Sequence, residues 1–235
     1  MPELRPNWLW LHNVRFIFLR SIDQVTRSLE LARETGDRQL IDFKMFGRGF
    51  TLLWFGDLEA AEQQLQAAMA QAEQTGDLPL QDRCLAYLSV ACRLKGDEGQ
   101  ARTYIEQGLE AAITEQNPIY IGVARANLAW LYFREGHRDE ALREGSAAVE
   151  QWRPLAYPIE WLARWPLLAI RFSQGQIDQA MDHARVMLTP AQQRLPSDLE
   201  APLEKAVQAW EQGQEGLAGE HLGQAIKVAE QMGYL

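Results

Sequence analysis

The chain has 235 residues, 47% of them apolar, and carries 23 Lys and Arg against 32 Asp and Glu, for a formal net charge of −9. That apolar share is enough to bury a continuous core, and the acidic balance excludes a nucleic-acid-binding surface spread over the whole molecule. No uninterrupted apolar run is long enough to cross a bilayer.

At the start, the aromatic cluster of Trp8 to Leu11 and Phe16 to Leu19 is broken by His12, Asn13 and Arg15. No small-residue cleavage site follows, so the cluster does not read as a signal peptide. Residues 1–36 are expected to form a degenerate first pair of helices. Trp8, Leu9, Trp10 and Leu11 open one; Ile22, Val25, Leu29 and Ala32 give helical spacing to a second, from about Ser21 to Thr35. Gly36-Asp37 stops it, and the same Thr-Gly-Asp tripeptide returns at Thr75-Gly76-Asp77. Glycine suits the left-handed residue after a helix, and aspartate caps the next one.

A second series of turns begins between these: Gly56-Asp57, then Gly96-Asp97, Gly136-His137, Gly175-Gln176 and Gly213-Gln214, spaced by 40, 40, 39 and 38 residues. A fixed period of this size marks a helical solenoid. Each period holds two helices. The first, A, is expected over 38–55, 79–95, 118–135, 158–174 and 199–212; the second, B, over 57–75, 97–116, 138–153, 177–189 and 215–232. The repeats then divide a single domain at 37–78, 79–117, 118–157, 158–198 and 199–235.

Pro79, Pro118, Pro158 and Pro202 fall at or near the starts of A helices, where a missing amide is tolerated. Pro166 falls inside one and predicts a kink or a late start. Residues 189–198 form the longest linker and read as the loosest joint. Cys84 and Cys92 stand eight residues apart on one helix, about 12 Å of rise. That is too far for a disulfide, so they read as reduced core thiols of a cytoplasmic protein.

Small residues recur where helices must approach closely. Five residues after each turn glycine stand Ala61, Ala101, Ala141, Ala180 and Ala218. Twelve after it stand Ala68, Gly108, Ala148, Met187 and Ala225, and seven before it Gly49, Ser89, Ala129, Leu168 and Ala206. This Gly-turn and Ala register resembles the tetratricopeptide repeat, well over 37–235 and weakly over 1–36. Its long period is similar to the repeats in sensor and partner-binding arrays of bacterial signalling proteins, the array of the maltotriose-responsive transcription activator among them. The resemblance implies an all-α, right-handed solenoid of antiparallel helix pairs, with A helices on the concave face and B helices on the convex one.

On that implied inner face, four A helices (41–55, 79–95, 118–135, 158–174) carry nine Lys and Arg against four Asp and Glu; the facing B segments (57–75, 97–116, 138–153, 176–189) carry five against fifteen. A basic channel favours an anionic ligand or an acidic peptide. Internal pairing, with Asp42, Asp82, Glu135 and Glu160 on the same helices, is the plainer alternative. Seven of eight Trp also fall in A helices: Trp8, Trp10, Trp54, Trp130, Trp161, Trp165 and Trp210. With Phe43, Phe46, Phe50, Tyr87, Phe133 and Phe172 they form an aromatic wall, of the composition binding hot spots use; taken singly, each is as well explained by core filling.

Arg48, Arg125, Arg164 and Arg171 occupy A-helix positions that the repeat usually makes apolar, and broken local rules concentrate at functional sites. Arg164 and Arg171, seven apart, share a helix face; an ion pair with Glu160 is the structural alternative. The candidate groove residues are Phe46, Phe50, Trp54, Arg83, Tyr87 and Arg93 in the first two A helices, Asn127, Trp130 and Arg134 in the third, and Arg164, Trp165, Arg171 and Phe172 in the fourth. The family's best-known peptide binders clamp a C-terminal carboxylate with Lys, Asn and Arg. Asn127 matches the middle Asn, but Ala86, Val90, Leu162 and Pro166 stand where the other ligands belong, so that clamp is not expected.

Phosphate loops, metal-spaced His pairs and nucleophile elbows are all missing from the sequence. His12, His137, His183 and His221 are scattered, and the basic inner face lacks a carboxylate pair for glycosidase chemistry. The expectation is a non-enzymatic module without cofactor or metal, binding neither nucleic acid nor membrane, whose groove takes a protein or peptide segment. A small anionic or sugar-like effector held near Trp130, Arg164 and Trp165 is the alternative. Homodimerisation through the terminal repeats is a third, since Met232, Gly233, Tyr234 and Leu235 leave apolar surface open after the last helix.

Overall fold

Glycine stops, several followed by an aspartate cap, cut the chain into α-helices of 11 to 28 residues. The structure, a computed structural model, describes the backbone from Trp8 onward and the side chains from Ile22 onward; Trp8, Trp10 and His12 therefore lie outside the described side chains. The helices are α1 (Trp8–Thr35), α2 (Arg38–Phe55), α3 (Leu58–Thr75), α4 (Leu78–Lys95), α5 (Glu98–Thr114), α6 (Pro118–Arg134), α7 (Arg138–Trp152), α8 (Trp161–Ser173), α9 (Ile177–Met187), α10 (Ser197–Glu211) and α11 (Glu215–Gln231), with a 3₁₀ turn at Arg153–Leu155. No strand occurs among the described residues, and the fold is an all-α helical-repeat solenoid.

The turn between α2 and α3 shows how the sequence sets each break. Gly56 adopts φ 91° and gives its N–H to the carbonyls of Leu52 and Leu53, closing α2. Asp57 then accepts the Ala60 amide at 3.3 Å and opens α3. The small-residue register has the packing role its regularity predicts. Ala61, Ala101, Ala141, Ala180 and Ala218 are all fully buried. A Cβ on Gly49 would lie 2.8 Å from Leu65 Cγ.

The chain divides into two compact units. The first runs through Ala91 and the second from Cys92 to Leu235, so that α4 is shared. In the first, α1 packs on α2 and α2 on α3, around Leu29, Leu52, Leu53 and Leu65. In the second, α5 packs on α6, α6 on α7 and α8, α8 on α9, and α10 on α11. Cys84 and Cys92 are buried thiols, and burial, aided by Asp77, pushes Cys84 up to about 12.

Four expectations are corrected. The degenerate N-terminal pair is one continuous helix, α1: no Gly or Pro interrupts it between Trp8 and Thr35. The fourth A helix makes the late start that Pro166 predicts, at Trp161, but Pro158 then lies outside it rather than at its start, and Pro202 lies inside α10. The 189–198 linker is tied down. The Gln193 amide donates to Pro158 O at 2.6 Å and Gln192 Nε2 to Tyr157 O at 3.0 Å, while Gln192 Oε1 accepts the Glu160 amide and Gln193 Oε1 the Trp161 indole. Finally, the residues after α11 turn inward, and Leu235 is 1% exposed.

Candidate functional site

In the first unit, α2 places aromatic residues one helical turn apart, and α4 brings up another ring. Phe50 meets Tyr87 edge-on with centroids 4.8 Å apart and Trp54 edge-on at 5.7 Å. Phe46 lies 6.0 Å from Phe50 and 5.8 Å from Tyr87, and Trp54 lies 6.4 Å from Tyr87. Edge-to-face rings at these separations hold one another in place. Of the predicted set, Phe46, Phe50, Trp54 and Tyr87 are thus brought together. Arg83 joins their border: its guanidinium carbon lies 5.9 Å from the Phe43 centroid, and Phe43 is 48% exposed. Phe43, Gly47, Phe50 and Trp54 follow one helix face at i, i+4, i+7 and i+11. Nothing approaches within 4 Å of a Cβ built on Gly47, so the face carries a notch between rings.

In the second unit, Arg93 is the centre. It is fully buried at the end of α4, and its three acceptors are neutral: Asn127 Oδ1 at 3.1 Å, Leu162 O at 2.8 Å and Tyr234 O at 2.7 Å. The Leu162 carbonyl is available because Pro166, four residues on, has no amide to offer it. The guanidinium sits between the Trp130 ring, 5.6 Å away, and the Trp161 ring, 5.3 Å away, a stacking that its planar, weakly hydrated cation favours. Its Nε finds no acceptor among the described residues. Burial pushes Arg93 down to about 9, so it stays charged at neutral pH.

The segment after α11 completes this cluster. Tyr234 lies against Trp161, ring centroids 4.4 Å apart, and burial raises its phenol to about 12. Gly233 turns the chain at φ 76°, and a Cβ there would stand 2.6 Å from Leu94 O. The expected open apolar end at Tyr234 and Leu235 is therefore covered by α4 and α8 residues of the same unit.

The remaining predicted residues do not join Arg93. Arg134 Nε donates to Glu98 at 2.8 Å on the surface. Arg164 pairs with Glu160, Nε to Oε2 at 2.7 Å, and donates from Nη1 to His183 Nδ1 at 3.2 Å. Burial, then Arg164 and Arg171, depress His183 to about 4; the neutral ring accepts the Arg164 hydrogen bond at Nδ1. Arg171 binds Gln176 Oε1 at 2.8 Å, and Arg48 binds Gln64 Oε1 at 3.2 Å. Trp165 is fully buried core, and Phe172 is half-buried beside Gly223. Of these arginines, Arg164 meets a carboxylate at the cap of its own helix and Arg134 one on α5, while Arg48 and Arg171 meet neutral glutamines. The sequence reading missed Trp161 and the Gly233–Leu235 segment as partners of Arg93. Pro166 was the one available signal, since a proline inside a helix leaves a carbonyl that some donor must meet.

Residues 43–114 match the tetratricopeptide repeat family model. No curated protein matches the chain. Among solved structures, the chain resembles BtubC (BKLC) from P. vanneervenii with a TM-score of 0.61 over 91% of this chain and 92% of that one, at 17% identity. That likeness shows the fold alone. No helix among the described residues is long and apolar enough to cross a membrane. Repeats of this family generally mediate protein–protein interaction and are typically non-catalytic. The chain is thus an all-α helical-repeat protein, similar over residues 43–114 to the tetratricopeptide repeat.

Proposed function

We propose that the chain is a protein-interaction module that recognises a partner segment on the aromatic face of α2 and α4 in its first unit. The observation that carries this reading is the exposed Phe43, with half-buried Arg83 against it, bordering four interlocked rings, and the Gly47 notch on the same helix face. Rigid aromatics beside an arginine form the usual centre of a binding hot spot. The notch accepts an apolar side chain; Arg83 and Lys44, whose Nζ lies 6.0 Å from the Phe43 centroid, favour an acidic residue next to it. This face lies within the residues that match the family model. The small-effector alternative needs Trp130, Arg164 and Trp165 open to a cavity. Both tryptophans are packed, at 1% and 0% exposure, and Arg164 holds Glu160 and His183, which supports the segment reading.

The variant Gly47→Gln separates fold from function. With open space at its Cβ it is expected to fold and to gain about 0.5–1 kcal/mol from the lost helix-interior glycine. It also fills the notch. Partners captured from lysate by the parent protein, and identified by mass spectrometry, are expected to be missing from Gly47→Gln. Unchanged capture by a variant of raised stability rejects this face as the recognition surface.

A further inference from the structure

Residues 233–235 are held as a ligand is held. Their amides return to their own helix: Gly233 N–H reaches Glu230 O at 3.4 Å, and the Tyr234 and Leu235 amides reach Ala229 O at 2.8 and 3.1 Å. What faces away is a set of recognition elements. A glycine passes Leu94 O where no side chain fits, the Tyr234 carbonyl accepts from Arg93, the Tyr234 ring lies on Trp161, and the Leu235 side chain is buried. The receiving residues are Arg93 and Leu94 at the end of α4 and Trp161 at the start of α8, with Asn127 and Trp130 of α6 against Arg93. Arg93 reaches Tyr234 across 141 positions of sequence.

We propose that this Arg93–Trp130–Trp161 cluster is a second peptide-binding site, for a partner segment with a glycine–aromatic–aliphatic sequence, and that Gly233–Leu235 is its built-in, displaceable occupant. Arg93 gives the site its selectivity. Asn127 and Leu162 hold Nη1 of the guanidinium, while the segment's carbonyl takes Nη2, so departure of the segment frees Nη2 and leaves the acceptor position beside it empty. A segment that supplies a carbonyl and an aromatic ring satisfies Nη2 and Trp161; one that supplies neither leaves a desolvated donor unpaired, which is costly. The resident segment competes intramolecularly, at an effective concentration on the order of millimolar for a short tether. An outside segment therefore binds the intact chain weakly and the opened chain well.

The test uses a fluorescently labelled peptide of sequence EQMGYL and its EQMGAA counterpart, with anisotropy as the readout. Gly233→Ala drives the resident segment off, because its methyl would overlap Leu94 O. The opened variant is expected to bind EQMGYL at least tenfold more tightly than the parent and to ignore EQMGAA. Tyr234→Ala with Leu235→Ala opens the site without the overlap and is expected to do the same. A folded variant, by circular dichroism, that fails to bind EQMGYL overturns the proposal. So does loss of the fold in both variants, since the segment is then inseparable from the core. A parent dimer that disappears in Gly233→Ala assigns the occupant to a second copy and overturns the partner. Gly47→Gln, in the other unit, leaves probe binding unchanged, so failure of the first-unit reading is visible separately.

Discussion

Arg93 carries a charge into a place where no carboxylate meets it among the described residues, and Pro166 explains much of why it is there. Pro166 and Pro202 each remove a helical hydrogen bond four residues back, but Asp198 is exposed and Leu162 is fully buried. Water can serve the first carbonyl; only an internal donor can serve the second. Arg93→Met is expected to cost about 2–4 kcal/mol, from the acceptors it leaves unmet. Pro166→Ala returns an amide to Leu162 O, which the parent does not need and Arg93→Met does. Urea denaturation of the two single variants and the double is expected to show about 1 kcal/mol or more of favourable coupling. Additive effects would remove the link between proline and arginine.

At the scale of the element, the turns show what glycine contributes. Gln116 occupies the left-handed position, at φ 53°, that Gly76, Gly96 and Gly136 hold in neighbouring turns. Its side chain crowds the following carbonyl there. Gln116→Gly is expected to raise stability by about 0.5–1 kcal/mol, the relief of strain exceeding the added freedom of the unfolded chain; a denaturation midpoint that falls would contradict this. These turns, and the alanine register of α3, α5, α7, α9 and α11, were legible because they depend on neighbours within one helical hairpin. The start of α8 was half legible: Pro166 announced a disturbance, but its position depends on Gln192 and Gln193 holding the preceding turn. The Arg93 cluster was not legible, because its members are 34, 69 and 141 residues away from Arg93. Arg164 was singled out for its odd position, and its neighbours Glu160 and His183 meet it there.

For the molecule as a whole, charge and acid response are the measurable outcome. The net charge is −9, yet the group with the clearest acid liability is a histidine. His183 titrates near 4 in the folded chain and near its usual 6.5 when unfolded, so the folded state binds fewer protons between those values. Its contribution to stability is complete above pH 6.5 and is lost as pH falls toward 4. Asp42, raised by burial, acts in the opposite sense, since the folded state then favours its proton. Thermal unfolding at pH 7 and at pH 4.5 is expected to show a larger loss of Tm for the parent than for His183→Gln. Equal losses would mean that His183 is not held neutral.

The clasp formed by Gln192 and Gln193 sets how the chain meets a protease. Arg194 offers an exposed side chain at an irregular stretch, the usual invitation to cleavage. The backbone on one side is bound to Pro158 and on the other runs into buried Leu195. An enzyme that must draw several residues of extended chain into its cleft can do so only after the turn before α8 lets go. Nicking at Arg194 thus reports the opening of α8's first turn rather than the mobility of a linker, and it proceeds at the pace of that local unfolding.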